Sequence, residues 1–200
     1  ANTTGWGTIT VSSSGAAADM DQAFAAGFAE AAITWRRTLD HHRSFMAATF
    51  ANDTASRDLA VSFITDNDRY VLGKLATETD AWWTQLGLVW EQLAGLIAGH
   101  NAHAPASGQL TRLDFLLMNG VVDLSSVIHK PFASDEWTRE RAADYTRRTT
   151  HCSALVKILP DYSELLTSHN TWTAYYMMLR AAKKYSLPFR GVAAADSASS

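Results

Sequence analysis

The spacing of apolar residues changes at Cys152, and this change limits the folds that the chain can adopt. Before Cys152, long stretches repeat apolar residues every three or four positions, which is typical of helices. Residues 152–159 alternate instead and include β-branched side chains, which predicts a strand. Residues 5–13 follow the same alternating pattern. The chain is therefore expected to be α+β, with helices flanking a few antiparallel strands.

Polar and turn-forming segments divide the helical stretches. Residues 52–57 are polar, and residues 99–108 combine glycine, proline, serine and asparagine, so helices should be interrupted at both places. Residues 135–148 begin with acidic and end with basic side chains, as the helix dipole favours. Helices are predicted over residues 19–50, 68–98, 110–118, 135–148 and 171–185.

A β-hairpin is predicted to begin at Cys152. Residues 160–163 have the composition of a turn, and residues 165–169 form a second short strand. The far end of the second strand of a hairpin returns to the start of the first. His169 is therefore expected close to Cys152.

The composition excludes several classes of protein. The chain has 200 residues, of which 47% are hydrophobic and 18% charged, as in a globular domain with a sizeable core. Its 17 basic and 20 acidic side chains give a net charge of −3, so it lacks the basic footprint of a nucleic-acid-binding protein. No uncharged apolar run reaches the roughly 18 residues of a membrane span.

Cys152 is the only cysteine, which excludes an intrachain disulfide and a multi-cysteine metal site. Two interpretations stay open for it. It is either a small buried apolar residue, the common place of a free cysteine, or a nucleophile activated by a nearby base. Sequons at Asn2 and Asn52 are typical of a secreted or lysosomal glycoprotein.

The other histidines are weaker candidates for chemistry. His100 and His103 could ligate a metal, but no third ligand lies near them in the sequence. His41 and His42 point about 100° apart on their helix, so they are expected on a solvated face. The phosphate-loop, zinc-protease and serine-hydrolase motifs are absent from the sequence.

The segment around Cys152 has a specific resemblance. Residues 151–160, His-Cys-Ser-Ala-Leu-Val-Lys-Ile-Leu-Pro, resemble the nucleophile segment of the phospholipase B-like (lamina ancestor) family of N-terminal nucleophile hydrolases. Residues 169–172, His-Asn-Thr-Trp, resemble the next signature of that family, at matching spacing. The resemblance continues, in order, through residues 5–7, 22–30 and 113–123.

This resemblance implies both a fold and a mechanism. The fold would be an αββα sandwich, two antiparallel sheets between helix layers, with this chain as its front portion. Precursors of the family are cut just before the cysteine, here between His151 and Cys152. The Cys152 thiol would attack a carbonyl with its own α-amine as general base, and His169 and Trp172 match active-site residues. Neither a metal nor an organic cofactor is implied.

The resemblance also implies an organisation and a setting. Residues 1–151 would form a helical pro-segment, and residues 152–200 the start of the catalytic sandwich. Because family members are longer, the C-terminal remainder of the precursor is expected as a second chain. The expected substrate is a small amide or acyl ester, lipid-derived molecules included, in the lysosome or outside the cell. The alternatives are a catalytically silent lysosomal glycoprotein that binds lipid or a protein partner, and a structural fragment with Cys152 buried.

Overall fold

A computed structural model describes residues 5–120, 123–124, 138, 140, 152–171 and 174–191. The chain divides into two compact units. The helical unit comprises Ala1–Ile128 and Leu179–Ser200, and the hairpin unit comprises His129–Met178. Helices and strands are both present, so the α+β class is confirmed.

The described residues form four α-helices and four strands, and the helices follow one another between the first and second strands. The helices are α1 (Asp19–Phe50), α2 (Thr54–Leu75), α3 (Ala81–His103) and α4 (Arg112–Asn119). The strands are β1 (Gly7–Ser12), β2 (Cys152–Ile158), β3 (Leu165–Thr171) and β4 (Ala181–Ser186). Short 3₁₀ turns lie at Ala106–Gly108 and Tyr175–Met177. The predicted helix over residues 135–148 lies outside the described residues.

The single helix predicted over residues 68–98 is wrong, because the chain breaks between α2 and α3. Lys74 accepts backbone hydrogen bonds from Thr77 and Glu78, which closes α2. Asp80 then caps α3 by accepting a hydrogen bond from the Trp83 amide at 3.0 Å. This carboxylate satisfies one of the N–H groups that the first turn of a helix leaves without a partner.

The loop predicted over residues 99–108 is also wrong in its first half, because α3 continues to His103. The ring of His103 donates from Nδ1 to the Gly99 carbonyl at 2.9 Å, which ties the last turn to itself. His100 donates from Nε2 to the Gly108 carbonyl at 2.9 Å, and this bond holds the following turn against the helix. The histidines thus complete the helix end instead of leaving it as a loop.

Helices α1 and α3 approach so closely that their backbones touch. A Cβ atom on Gly27 would overlap the carbonyl oxygen of Gln92, and one on Gly95 would overlap the carbonyl oxygen of Phe24. Gly99 lies one turn beyond Gly95 and faces the Phe28 carbonyl in the same way. Only glycine leaves room for this contact, so the close packing of α1 against α3 depends on these glycines.

The helix predicted over residues 171–185 is wrong. Its last five residues, 181–185, belong to strand β4, which pairs in parallel with β1 from Gly7↔Ala181 to Ser12↔Ser186. Ile9 and Val11 are buried against Ala26 of α1, and their partners on β4, Lys183 and Tyr185, lie on the same face of the sheet. The parallel pairing departs from the antiparallel arrangement expected for all strands.

The hairpin unit follows the prediction more closely. Strands β2 and β3 are antiparallel and pair from Cys152↔Thr171 to Ile158↔Leu165. The turn between them is closed by the Leu159 amide, which donates to the Glu164 carbonyl at 3.1 Å. Tyr162 takes a positive φ of 59° inside this turn, a conformation that bends the chain sharply. The predicted β-hairpin is therefore confirmed.

Candidate active site

Cys152 is the first residue of β2, and its side chain is exposed. The expectation that it is a buried apolar residue is therefore wrong. The alternative of a structural fragment with Cys152 buried is wrong for the same reason. The physical reason lies in the hairpin itself, because every residue of β2 and β3 is exposed. A thiol must be accessible to act as a nucleophile, and Cys152 meets that requirement.

The register of the hairpin places His169 relative to Cys152. Thr171 lies directly opposite Cys152, and His169 lies opposite Ala154. Residues two apart on a strand point to the same face, so His169 and Cys152 share one face of the hairpin as diagonal neighbours. Such neighbours are roughly 7–8 Å apart between backbones, a separation that a substrate atom or a water molecule bridges.

Asn170 offers a contrast within the same strand. It pairs with Ser153 and therefore lies on the opposite face from Cys152. The hairpin thus separates the two polar side chains of the His-Asn pair, and only the imidazole shares the face of the thiol.

Of four other predicted positions, the structure describes one. His151, Trp172 and Asn2 lie outside the described residues. Asn52 lies in the exposed turn between α1 and α2, two residues before α2 begins at Thr54. Its side chain is accessible to a modifying enzyme, and its glycosylation stays a prediction.

Three described histidines, His42, His100 and His103, form hydrogen bonds within the helical unit. His100 and His103 bond to backbone carbonyls, as described above, and the described residues contain no group of three or more potential metal ligands. His42 contacts Asp114 of α4 at 3.1 Å, so the solvated face expected for it is wrong. Burial acts to raise the pKa of Asp114, but hydrogen bonds from Thr111 and the nearby His42 outweigh it and lower the pKa.

Sequence reasoning missed a polar cluster on the inner face of the β1–β4 sheet. Glu30 of α1 is 4% exposed, and its carboxylate accepts hydrogen bonds from Lys183 and from the Tyr185 hydroxyl. Burial, followed by the Glu30 carboxylate, raises the pKa of Tyr185 well above its usual range. The available signal was a lone glutamate at the end of residues 23–30, which are otherwise apolar.

Comparison with known proteins identifies the relatives of this chain. The family model described as Phospholipase B matches residues 1–200. The chain belongs to the phospholipase B family. Phospholipase B-like protein B of Dictyostelium discoideum is 31% identical over 196 residues, which cover 95% of this chain and 34% of the relative. Phospholipase B-like protein C of the same organism is 30% identical over 196 residues, covering 96% of this chain and 34% of the relative.

A human phospholipase B-like protein is 31% identical over 203 residues, covering 94% of this chain and 32% of the relative. This phospholipase B family member therefore spans about a third of the length of the curated relatives it matches. The resemblance read from residues 22–30 and 151–172 is confirmed at the level of the family. In the structure, the first of these segments carries Gly27 and Glu30, which form the helix contact and the polar cluster.

Within the part of the chain that the structure describes, no helix is long and apolar enough to cross a membrane.

Proposed function

We propose that this protein is an autoprocessed N-terminal-cysteine hydrolase that cleaves an amide or acyl-ester bond, lipid-derived substrates included. The observation that carries the proposal is the hairpin register, which puts the exposed Cys152 at the start of a strand with His169 on the same face. Membership of the phospholipase B family supports a hydrolase.

The first step of the proposed mechanism is cleavage of the chain itself. The Cys152 thiol attacks the carbonyl carbon of His151, and the peptide C–N bond breaks as a thioester forms. Water then hydrolyses the thioester. This leaves a carboxylate on His151 and frees both the thiol and the α-amine of Cys152. The nucleophile and its base then lie on one residue.

Turnover repeats the same chemistry on a substrate. The α-amine accepts the thiol proton, the sulfur attacks the substrate carbonyl, and the proton passes to the leaving amine or alcohol. Water hydrolyses the thioester that results and releases the acid. We assign His169 to a proton-transfer or substrate-positioning role, because it lies on the face of the thiol. Trp172 is assigned to substrate contact from the family motif alone.

The setting we propose is the lysosome or the outside of the cell, with glycans at Asn2 and Asn52. The support is the pair of sequons and the exposure of Asn52. The remainder of the precursor is proposed as a partner chain that supplies further site residues, since the curated relatives are about three times as long.

The first experiment is intact mass with N-terminal sequencing, before and after incubation at acidic pH. We expect a new terminus that begins Cys-Ser-Ala-Leu, and its absence under all conditions would overturn the proposal of self-cleavage. An uncut chain would favour the catalytically silent glycoprotein instead. Cys152→Ala should abolish both cleavage and turnover.

A matched pair of variants tests the role of His169. In the processed protein, His169→Ala should lower the turnover of an amide or phospholipid substrate. Asn170→Ala, on the opposite face of the same strand, should leave this turnover unchanged. Equal rates in the two variants would remove His169 from the site. Far-UV circular dichroism on both variants controls for the fold.

A further inference from the structure

The helical unit contains a groove apart from the hairpin. It holds about 250 Å³ and lies between α1 and the β1–β4 sheet. Its walls combine three kinds of group: the charged side chains of Glu30, Arg37 and Lys183, the hydroxyls of α1, and apolar side chains at the rim. A groove that combines charged and apolar walls suits a small amphipathic molecule.

The charges of the groove are unevenly paired. Glu30 is countered by Lys183 and receives a second hydrogen bond from Tyr185. Arg37 donates from Nη1 to the Arg180 carbonyl at 3.4 Å, and within the described residues no carboxylate lies within ion-pair distance of it. The groove therefore carries one positive charge more than negative, and the surplus belongs to the Arg37 guanidinium.

The absence of a side chain at Gly7 leaves room for this guanidinium next to β1. A Cβ atom at Gly7 would come within 2.6 Å of Arg37 Nη1, which is too close for any real contact. The same Nη1 donates the hydrogen bond to the Arg180 carbonyl. Within the described residues this bond uses one of the five N–H donors of Arg37. The others are available to a ligand, and a guanidinium is a preferred partner of a carboxylate.

The rim of the groove is apolar and open to water. Ile33 is 70% exposed and Leu179 is 48% exposed, although both are aliphatic. They line the same groove as Arg37. An aliphatic chain laid across them would remove apolar surface from water while its head group reached the guanidinium.

We propose that this groove binds a small aliphatic monocarboxylate, with the carboxylate on Arg37 and the alkyl chain over Ile33 and Leu179. Glu30, which lines the groove, disfavours a dianion such as phosphate, because its carboxylate would repel the second negative charge of the ligand. The volume is below the range of about 300–1,000 Å³ for drug-sized ligands, so the chain is short. Cys152 does not line this groove, and ligand binding there does not depend on it.

Calorimetric titration of the protein with hexanoate tests the proposal, with hexanol and hexyltrimethylammonium as probes of equal chain length. We expect hexanoate to bind and the other two to bind about tenfold more weakly or not at all. Equal binding of all three would mean a purely apolar contact and would overturn the carboxylate assignment. Failure of hexanoate to bind would overturn the site itself.

Three variants locate the binding. Arg37→Gln should weaken hexanoate about tenfold or more, whereas Arg36→Gln, an exposed neighbour on the same helix and outside the groove, should leave it unchanged. Ile33→Asp tests the rim without disturbing the core, since that side chain is mostly exposed, and its negative charge should also weaken hexanoate. Unchanged affinity in both Arg37→Gln and Ile33→Asp would place any binding elsewhere. Circular dichroism and thermal melting control for folding in each variant.

Discussion

Arg112 donates two hydrogen bonds to the carboxylate of Asp68, from Nε at 2.8 Å and from Nη2 at 2.9 Å. The pair joins α2 to α4, and the indole of Trp90 adds a third hydrogen bond to the same carboxylate from α3 at 2.9 Å. Three helices therefore converge on one side chain. Such a two-point contact between guanidinium and carboxylate fixes orientation as well as distance.

Asp68→Asn should lower the free energy of unfolding by about 1–3 kcal/mol, because it leaves a partly buried charge-assisted network incomplete. Urea denaturation followed by circular dichroism measures this. Asp66→Asn is the matched control, since Asp66 pairs with Arg69 on an exposed part of the same helix and should change stability by less than about 1 kcal/mol. Equal effects would show that the network adds nothing.

The same pair predicts a dependence of stability on pH. Hydrogen bonding from Arg112 lowers the pKa of Asp68 below its ordinary value of 3.8, and the indole of Trp90 acts in the same direction. The stabilisation is therefore complete above the unfolded pKa and is lost as pH falls through the lower, folded pKa. Thermal melting of the Asp68→Asn variant should show a weaker loss of stability in this acidic range than the unmodified protein.

Gly95→Ala should destabilise the protein by about 1–3 kcal/mol or more, because the added methyl group overlaps the Phe24 carbonyl and pushes α1 from α3. Gly73→Ala is the control on α2, where nothing lies within 4 Å of the new atom. It should raise stability by about 0.5–1 kcal/mol through helix propensity. A stabilising Gly95→Ala would contradict the close helix contact.

Glu30→Gln should lower the pKa of Tyr185 towards its usual value, because the carboxylate that disfavours the phenolate is gone. Ultraviolet titration of tyrosine measures the change. In the unmodified protein the raised pKa stabilises the fold below the unfolded value of about 10, and this stabilisation is lost as pH rises above it. Tyr185→Phe removes this phenol, so the titration step that is missing in the variant is the one that belongs to Tyr185. An unchanged titration in Glu30→Gln would contradict the cluster.

Cys152 should react with a water-soluble maleimide in the native protein, because its side chain is exposed. Mass spectrometry should show one label without denaturant and none in Cys152→Ser. Labelling that requires denaturation would contradict the position of the thiol at the exposed end of β2. This measurement tests accessibility alone and leaves catalysis to the turnover assays.

The sequence predicted the elements whose signals are local. The alternation of apolar and polar residues predicted β1 and the hairpin, and the acidic residues of the first turn predicted the start of α1. The break before α3 was missed because its signal is a single side chain, Asp80, that caps a helix. The family motif around Cys152 led to the candidate site, and the hairpin register that positions His169 follows from a turn that the sequence indicates.

Strand β4 could not be predicted from its own residues. The segment Ala-Ala-Lys-Lys-Tyr-Ser has no run of β-branched side chains and continues a helical pattern. It is a strand because β1 offers it a parallel partner and because Glu30, far away in the sequence, offers Lys183 and Tyr185 a buried acceptor. Both reasons are tertiary, so only the folded chain reveals them.

The pairing of β1 with β4 joins two segments that lie on opposite sides of Cys152 in the sequence. A peptide bond broken just before Cys152 would leave these two strands on different polypeptides. The hydrogen bonds between β1 and β4, which close a loop within one chain, would then hold two chains together. Dilution, which has no effect on a ring-closing contact within one chain, would begin to weaken the fold, and thermal stability would depend on protein concentration.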